Sequence, residues 1–209
     1  MSLGFAINGR DCVLIAADGR KVRLEYKDGD LVPVEIVAED YRKVRPLTKN
    51  SVLFIGGICH ITELMYNEIR SMVSDNSSFN EILNVIQNVS KKYHYLSGLP
   101  SDADKTSSTA SVLAYYGEKP MFAGLSPEGD YKPVIFDNVG NYGFKGDGIG
   151  EIEGMKFFKS NIPNLEINFK EYIYKIYKHI SQHTIAVGGL LRIYSIGKND
   201  VNLIERRMI

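Results

Sequence analysis

Two periods of apolar residues divide this chain. From Leu3 to Ile7 and from Cys12 to Ala17 the residues are almost continuously apolar, as in strands covered on both faces. Asn8-Gly9-Arg10-Asp11 between them is a hairpin signal. Over 21–38, Val22, Leu24 and Tyr26 alternate with polar residues, as do Val32, Val34 and Ile36. Lys27-Asp28-Gly29-Asp30 lies between the two sets, so a second hairpin is predicted. Ser51–Gly57 is a further buried strand. The period then changes to that of a helix. Ile61, Leu64, Met65, Ile69, Met72 and Val73 make one stripe, which predicts a helix over 61–75. Phe79, Ile82, Leu83, Ile86, Val89 and Tyr93 make another, over 79–94, opened by the capping box Ser78-Phe79-Asn80-Glu81. Residues 97–108 form a polar loop. Strands are expected at about 109–116, 121–125 and 132–136, then a glycine-rich passage over 140–150. Helices follow near 150–159 and 168–183, the second striped by Phe169, Tyr172, Ile173, Ile176, Tyr177 and Ile180. Two closing strands, at about 186–196 and 200–206, flank the turn 197–200.

The order is strands, two helices, strands, two helices, strands, with no strand–helix–strand alternation to build a parallel sheet. Two antiparallel sheets packed face to face, with a helix pair outside each, bury every stripe. The expected fold class is therefore α+β, a four-layer αββα sandwich of two antiparallel sheets between two helix layers. It forms one domain over residues 1–209, without internal repeats or a disordered tail.

Composition narrows the function more than the fold. Lysine plus arginine and aspartate plus glutamate each number 25, and this balance argues against a nucleic-acid-binding surface. No apolar run reaches the length of a membrane span, and no charged-then-apolar leader opens the chain. No membrane association and a cytoplasmic location are expected. Cys12 and Cys59 lie in apolar segments and read as buried free thiols of a reducing compartment.

Three motifs carry a resemblance. Gly9-Arg10-Asp11-Cys12-Val13-Leu14-Ile15-Ala16-Ala17-Asp18-Gly19-Arg20 is similar to the second strand of proteasome β-type subunits, which ends in an aspartate near the active site. Its Asp-Gly pair resembles the bacterial HslV type. Arg42-Lys43-Val44-Arg45-Pro46-Leu47 is similar to the segment bearing that family's active-site lysine. Gly188-Gly189, opening the penultimate strand, matches the family's glycine pair. Together they span nearly the whole chain and resemble the proteasome family within the N-terminal nucleophile hydrolase superfamily. Alpha-type subunits carry a helix ahead of the first strand, so the β type is the closer match.

The resemblance implies a threonine-peptidase chemistry. An N-terminal hydroxyl attacks the peptide bond, the free α-amino group acts as base, and a nearby lysine depresses the amine's pKa and stabilises developing charge. Carried over, the catalytic candidates are Ser2, Asp18 and Lys43. Removal of Met1 exposes Ser2, sixteen residues before Asp18. The alternative is a strand-start serine or a vector remnant. Lys43 follows Asp18 by 25 residues, about nine more than the family spacing, an excess the second hairpin accounts for. The bland reading of Lys43 is a surface lysine in a basic stretch.

Other positions depart from the family. Gly146-Asp147-Gly148 stands in place of Gly-Ser-Gly, with Asp147 a substitute polar partner or a plain turn residue. Thr184-Ile185-Ala186-Val187 stands in place of Asp-x-x-Ser, so a valine occupies a hydrogen-bonding position. His179 and His183 share one helical face, a spacing that binds zinc. With no third ligand in the sequence they read as a solvated face, and no metal or cofactor is expected. His60 and His94 join no catalytic constellation.

The expectation is a proteasome-like subunit with a degenerate or divergent peptidase site. It assembles as a homo-oligomer or with related proteasome-type subunits, and takes a polypeptide substrate if it is active. The alternatives are a working amidohydrolase using Ser2 and a non-enzymatic binding module on the same fold.

Overall fold

A computed structural model of the chain describes residues 3–27, 30–96, 109–146, 148–161, 168–198 and 200–209. It is a mixed α+β structure of twelve strands in three antiparallel sheets, with four α-helices among the described residues. In chain order the elements are β1 (Leu3–Asn8), β2 (Val13–Ala17), β3 (Lys21–Lys27), β4 (Asp30–Ala38), β5 (Val44–Thr48) and β6 (Ser51–Gly56). Then come α1 (Cys59–Met72), α2 (Phe79–Leu96), β7 (Ala110–Tyr116), β8 (Pro120–Leu125), β9 (Val134–Phe136) and β10 (Tyr142–Gly146). Last are α3 (Gly148–Ser160), α4 (Phe169–Ile180), β11 (Leu190–Ile196) and β12 (Val201–Met208).

One five-stranded sheet has the order β10-β1-β2-β11-β12, the other β5-β6-β7-β8-β9. Strands β1, β2 and β6 are buried along their whole length, which is why their sequences read as continuous apolar runs. Their side chains still obey the period of two. Leu3, Phe5 and Ile7, with Leu14 and Ala16, face a core shared with Tyr172, Ile173, Ile176 and Tyr177 of α4 and Phe158 of α3. Ala6, Val13, Ile15 and Ala17 face Val52, Phe54, Val112, Ala114 and Phe122 of the second sheet. The other face of that sheet, with Leu53, Ile55, Leu113 and Leu125, meets Met65 and Ile69 of α1 and Ile82, Leu83 and Ile86 of α2.

The helices start as their sequences dictate. The Ser78 hydroxyl accepts from the Glu81 N–H at 3.3 Å, and the Glu81 carboxylate accepts the Ser78 N–H at 2.7 Å. Asn168 caps α4 through the Lys170 N–H, with Glu171 in its first turn and Lys178 and His179 in its last, matching the helix dipole.

Four expectations change. The 21–38 hairpin, β3 and β4, joins neither large sheet but forms a two-stranded sheet of its own; residues 28–29 of its turn lie outside the described residues. Two strands were not read from the sequence. In β5, Pro46 is tolerated because β5 is a sheet edge. In β10, glycines and aromatics hide the alternation, yet Tyr142–Gly146 pairs with β1 along its length. The penultimate strand begins at Leu190 rather than 186, because Gly188 and Gly189 have φ of 152° and 75°, outside the strand region. Cys12 and Cys59 are free but half-buried rather than buried. Among the described residues no helix is long and apolar enough to cross a membrane.

Candidate active site

Three chain segments meet where β2 ends: Asp18–Arg20, Glu39–Tyr41 and Gly188–Leu190. The Gly19 N–H donates to the Gly188 carbonyl at 3.2 Å, the Tyr41 N–H to the Gly19 carbonyl at 2.8 Å, and the Leu190 N–H to the Glu39 carbonyl. This crossing needs residues without side chains. A Cβ at Gly19 would stand 2.7 Å from the Glu39 carbonyl oxygen and 2.8 Å from that of Leu190. At Gly189 it would stand 2.4 Å from the Glu39 carbonyl oxygen, on top of a left-handed backbone.

At the centre is Asp18, whose side chain is fully buried. The Lys43 ammonium, 1 % exposed, donates to Asp18 Oδ2 at 2.7 Å. The same carboxylate accepts the backbone N–H groups of Leu3 at 3.2 Å, Arg20 at 3.1 Å and Gly188 at 3.3 Å. Four donors around one buried carboxylate satisfy a charge that would otherwise be very costly to bury. Lys43 is delivered by the start of β5, where its carbonyl accepts the Ile55 N–H. It is not the surface lysine that the basic stretch suggested.

The structure thus brings together Asp18 and Lys43 of the three sequence-derived candidates, and ties them to the first described residue of β1. Ser2 lies outside the described residues, as does Asp147. Thr184 and Val187 lie in the segment that leads to Gly188. Thr184 Oγ1 accepts the Ala186 N–H at 3.2 Å, and Val187 is fully buried. His60 is exposed, and His94 Nδ1 lies 3.3 Å from the Tyr131 hydroxyl.

Sequence reasoning missed four residues that build the surroundings. Arg20 forms a two-pronged ion pair with Glu39, at 3.0 and 3.1 Å, and donates to the carbonyls of Ile185 and Val187, each at 3.3 Å. Arg192 donates to the carbonyls of Asp40 and Tyr41, holding the middle segment in place. The Tyr177 hydroxyl, on the buried stripe of α4, donates towards the carbonyls of Leu3 at 3.1 Å and Ala16 at 2.9 Å. Burial, with a smaller contribution from the Asp18 charge, pushes the Tyr177 phenol well above its usual range, so it stays a neutral donor. Tyr177 was legible in principle, since a tyrosine on a core stripe needs a partner for its hydroxyl. Nothing in the local sequence marks Arg20–Glu39.

Chemically, a buried ammonium held by a carboxylate at a strand start supplies positive charge for a neighbouring amine or a developing oxyanion. The space beside it is small. The cavity lined by Arg42, Lys43, Arg45, Ile55, Thr62 and Tyr66 is about 10 Å³, room for one water at most. A larger cavity of about 330 Å³, lined by Phe122, Val134, Phe136 and Phe144 together with Lys132 and Lys145, shares no lining residue with the pair. Compared with models of known protein families the chain matches none, and a search of curated proteins found no match.

Proposed function

We propose that this chain is a proteasome-type subunit of the β-type or HslV-like kind, folded as a four-layer αββα sandwich. In this reading its peptidase site is reduced, and it assembles with copies of itself or with related subunits. The observation that carries the reading is the buried Asp18–Lys43 pair, bonded to the first residues of β1 and to the glycine pair before β11. These are the positions that the resemblance marks as aspartate, lysine and glycine pair. The three apolar clusters, one between the large sheets and one beneath each helix pair, support the four-layer arrangement.

Three features support a reduced site. Val187 offers no hydrogen bond where the family has a serine. The Thr184 hydroxyl is engaged by the Ala186 N–H. Arg20 occupies the carbonyls of Ile185 and Val187 beside the pair. Groups that act as a unit lose most of their rate when one is removed.

A second reading, an active amidohydrolase using Ser2, has one observation in its favour. The Leu3 N–H donates to the carboxylate that holds Lys43. The test compares protein beginning at Ser2 with its Ser2→Ala variant on fluorogenic peptides. The expected result is no turnover that depends on Ser2. Robust turnover abolished by Ser2→Ala overturns the reduced-site reading and establishes the second one.

A further inference from the structure

His179 and His183, near and just beyond the C-terminal end of α4, are not alone on their face. Glu153 of α3 comes up from the neighbouring helix. Its Oε2 lies 3.6 Å from His179 Nε2 and 4.0 Å from His183 Nε2, and the three ligand atoms lie within 4.8 Å of one another. The two imidazole rings are 4.6 Å apart. These separations exceed hydrogen-bonding range, so the groups face each other across a gap. An ion with metal–nitrogen and metal–oxygen bonds of about 2.0–2.2 Å sets tetrahedral ligands about 3.3–3.6 Å apart. The gap therefore closes on an ion with small side-chain rotations.

The carboxylate is already oriented for this. Lys156, one turn on, holds Glu153 Oε1 at 2.7 Å and leaves Oε2 for the histidines. The Phe157 ring lies 5.0 Å from that of His179 and limits its motion. His183 is 44 % exposed and His179 31 %, which leaves an open side for an ion to enter and for water to complete the coordination.

We propose that Glu153, His179 and His183 form a binding site for a divalent transition-metal ion, zinc above all, joining α3 to the end of α4. Two imidazoles and one carboxylate are a donor set suited to zinc. The site stands apart from Asp18 and Lys43, and it remains whether or not the chain hydrolyses peptides.

The test is calorimetric titration of zinc chloride into the full, untagged chain, with thermal unfolding in parallel. The expected result is one ion per chain and a raised unfolding temperature. Binding weakens by about tenfold or more in His183→Ala and Glu153→Gln, each checked for native circular dichroism. His60→Ala, which removes an exposed histidine on α1 that takes no part in the cluster, binds zinc as tightly as the native chain. Should His183→Ala fail to fold, visible absorption of the cobalt(II)-loaded native chain reads out imidazole ligation directly. Absence of saturable zinc binding overturns the proposal. Equal binding in all the variants does so too, since the ion then lies elsewhere, for example at Cys12 or Cys59. A loss in His60→Ala as large as that in Glu153→Gln also contradicts it.

Discussion

At the scale of the residue, the account turns on one buried ion pair. Asp18 and Lys43 are both inaccessible to solvent and 2.7 Å apart. Removing one member of such a pair leaves the other charge uncompensated in a poor solvent, whereas replacing both with neutral groups of similar size costs far less. Lys43→Met is therefore expected to destabilise the chain by about 3–5 kcal/mol, and the double variant Asp18→Asn, Lys43→Met to recover a large part of that loss. Denaturant unfolding checks both. Two independent, additive losses would mean that the side chains are not coupled as the structure has them. Asp18 and Lys43 were each candidates because the motifs that carry the resemblance contain them, Asp18 before glycine and Lys43 within Arg42–Leu47, but that they bond to each other was not read from the sequence. Arg20 and Glu39 were not legible in these roles, and for Tyr177 the need of a hydroxyl partner was legible but not which groups supply it. Their partners lie 19, 19 and more than 160 residues away, and local pattern carries no information about contacts at that range.

Elements were read with uneven success, for a physical reason. α1, α2 and α4 each press one face on a sheet, so their stripes follow the helical period closely. β5 and β10 are edge strands, less constrained to alternate and able to hold a proline or glycines, so they were invisible as strands. The arm β3–β4 shows the limit of the method from the other side. Its alternation was read correctly, yet alternation does not say which sheet a hairpin joins. None of its described side chains enters the three apolar clusters, and its described ion pairs, such as Arg23 with Glu35, are exposed. Replacing residues 24–34 with an Asn-Gly turn closes the hairpin on the Arg23–Glu35 pair. It is expected to move the thermal midpoint by less than about 3 °C. A fall of roughly 10 °C or more would show that the arm supports the core.

At the scale of the molecule, the outward-facing apolar residues bear on assembly. In the aromatic segment 172–177 of α4, Tyr172 and Tyr177 are buried within the chain's own core. Exposed apolar side chains lie elsewhere, among them Leu64 and Met72 on α1, Ile149 and Ile152 on α3, Val134 and Ile135 on β9, and Val32, Ile36 and Val37 on the arm. Apolar groups left in water on several outer elements are a cost that burial in an interface would remove. A proteasome-type subunit is built to assemble, so the central claim is tested most directly by the mass of the native species. Native mass spectrometry of the full chain at micromolar concentration is expected to show a closed oligomer of several copies, or a complex with a related subunit when the two are produced together. A monomer under both conditions would contradict the account and leave a binding module on the same fold.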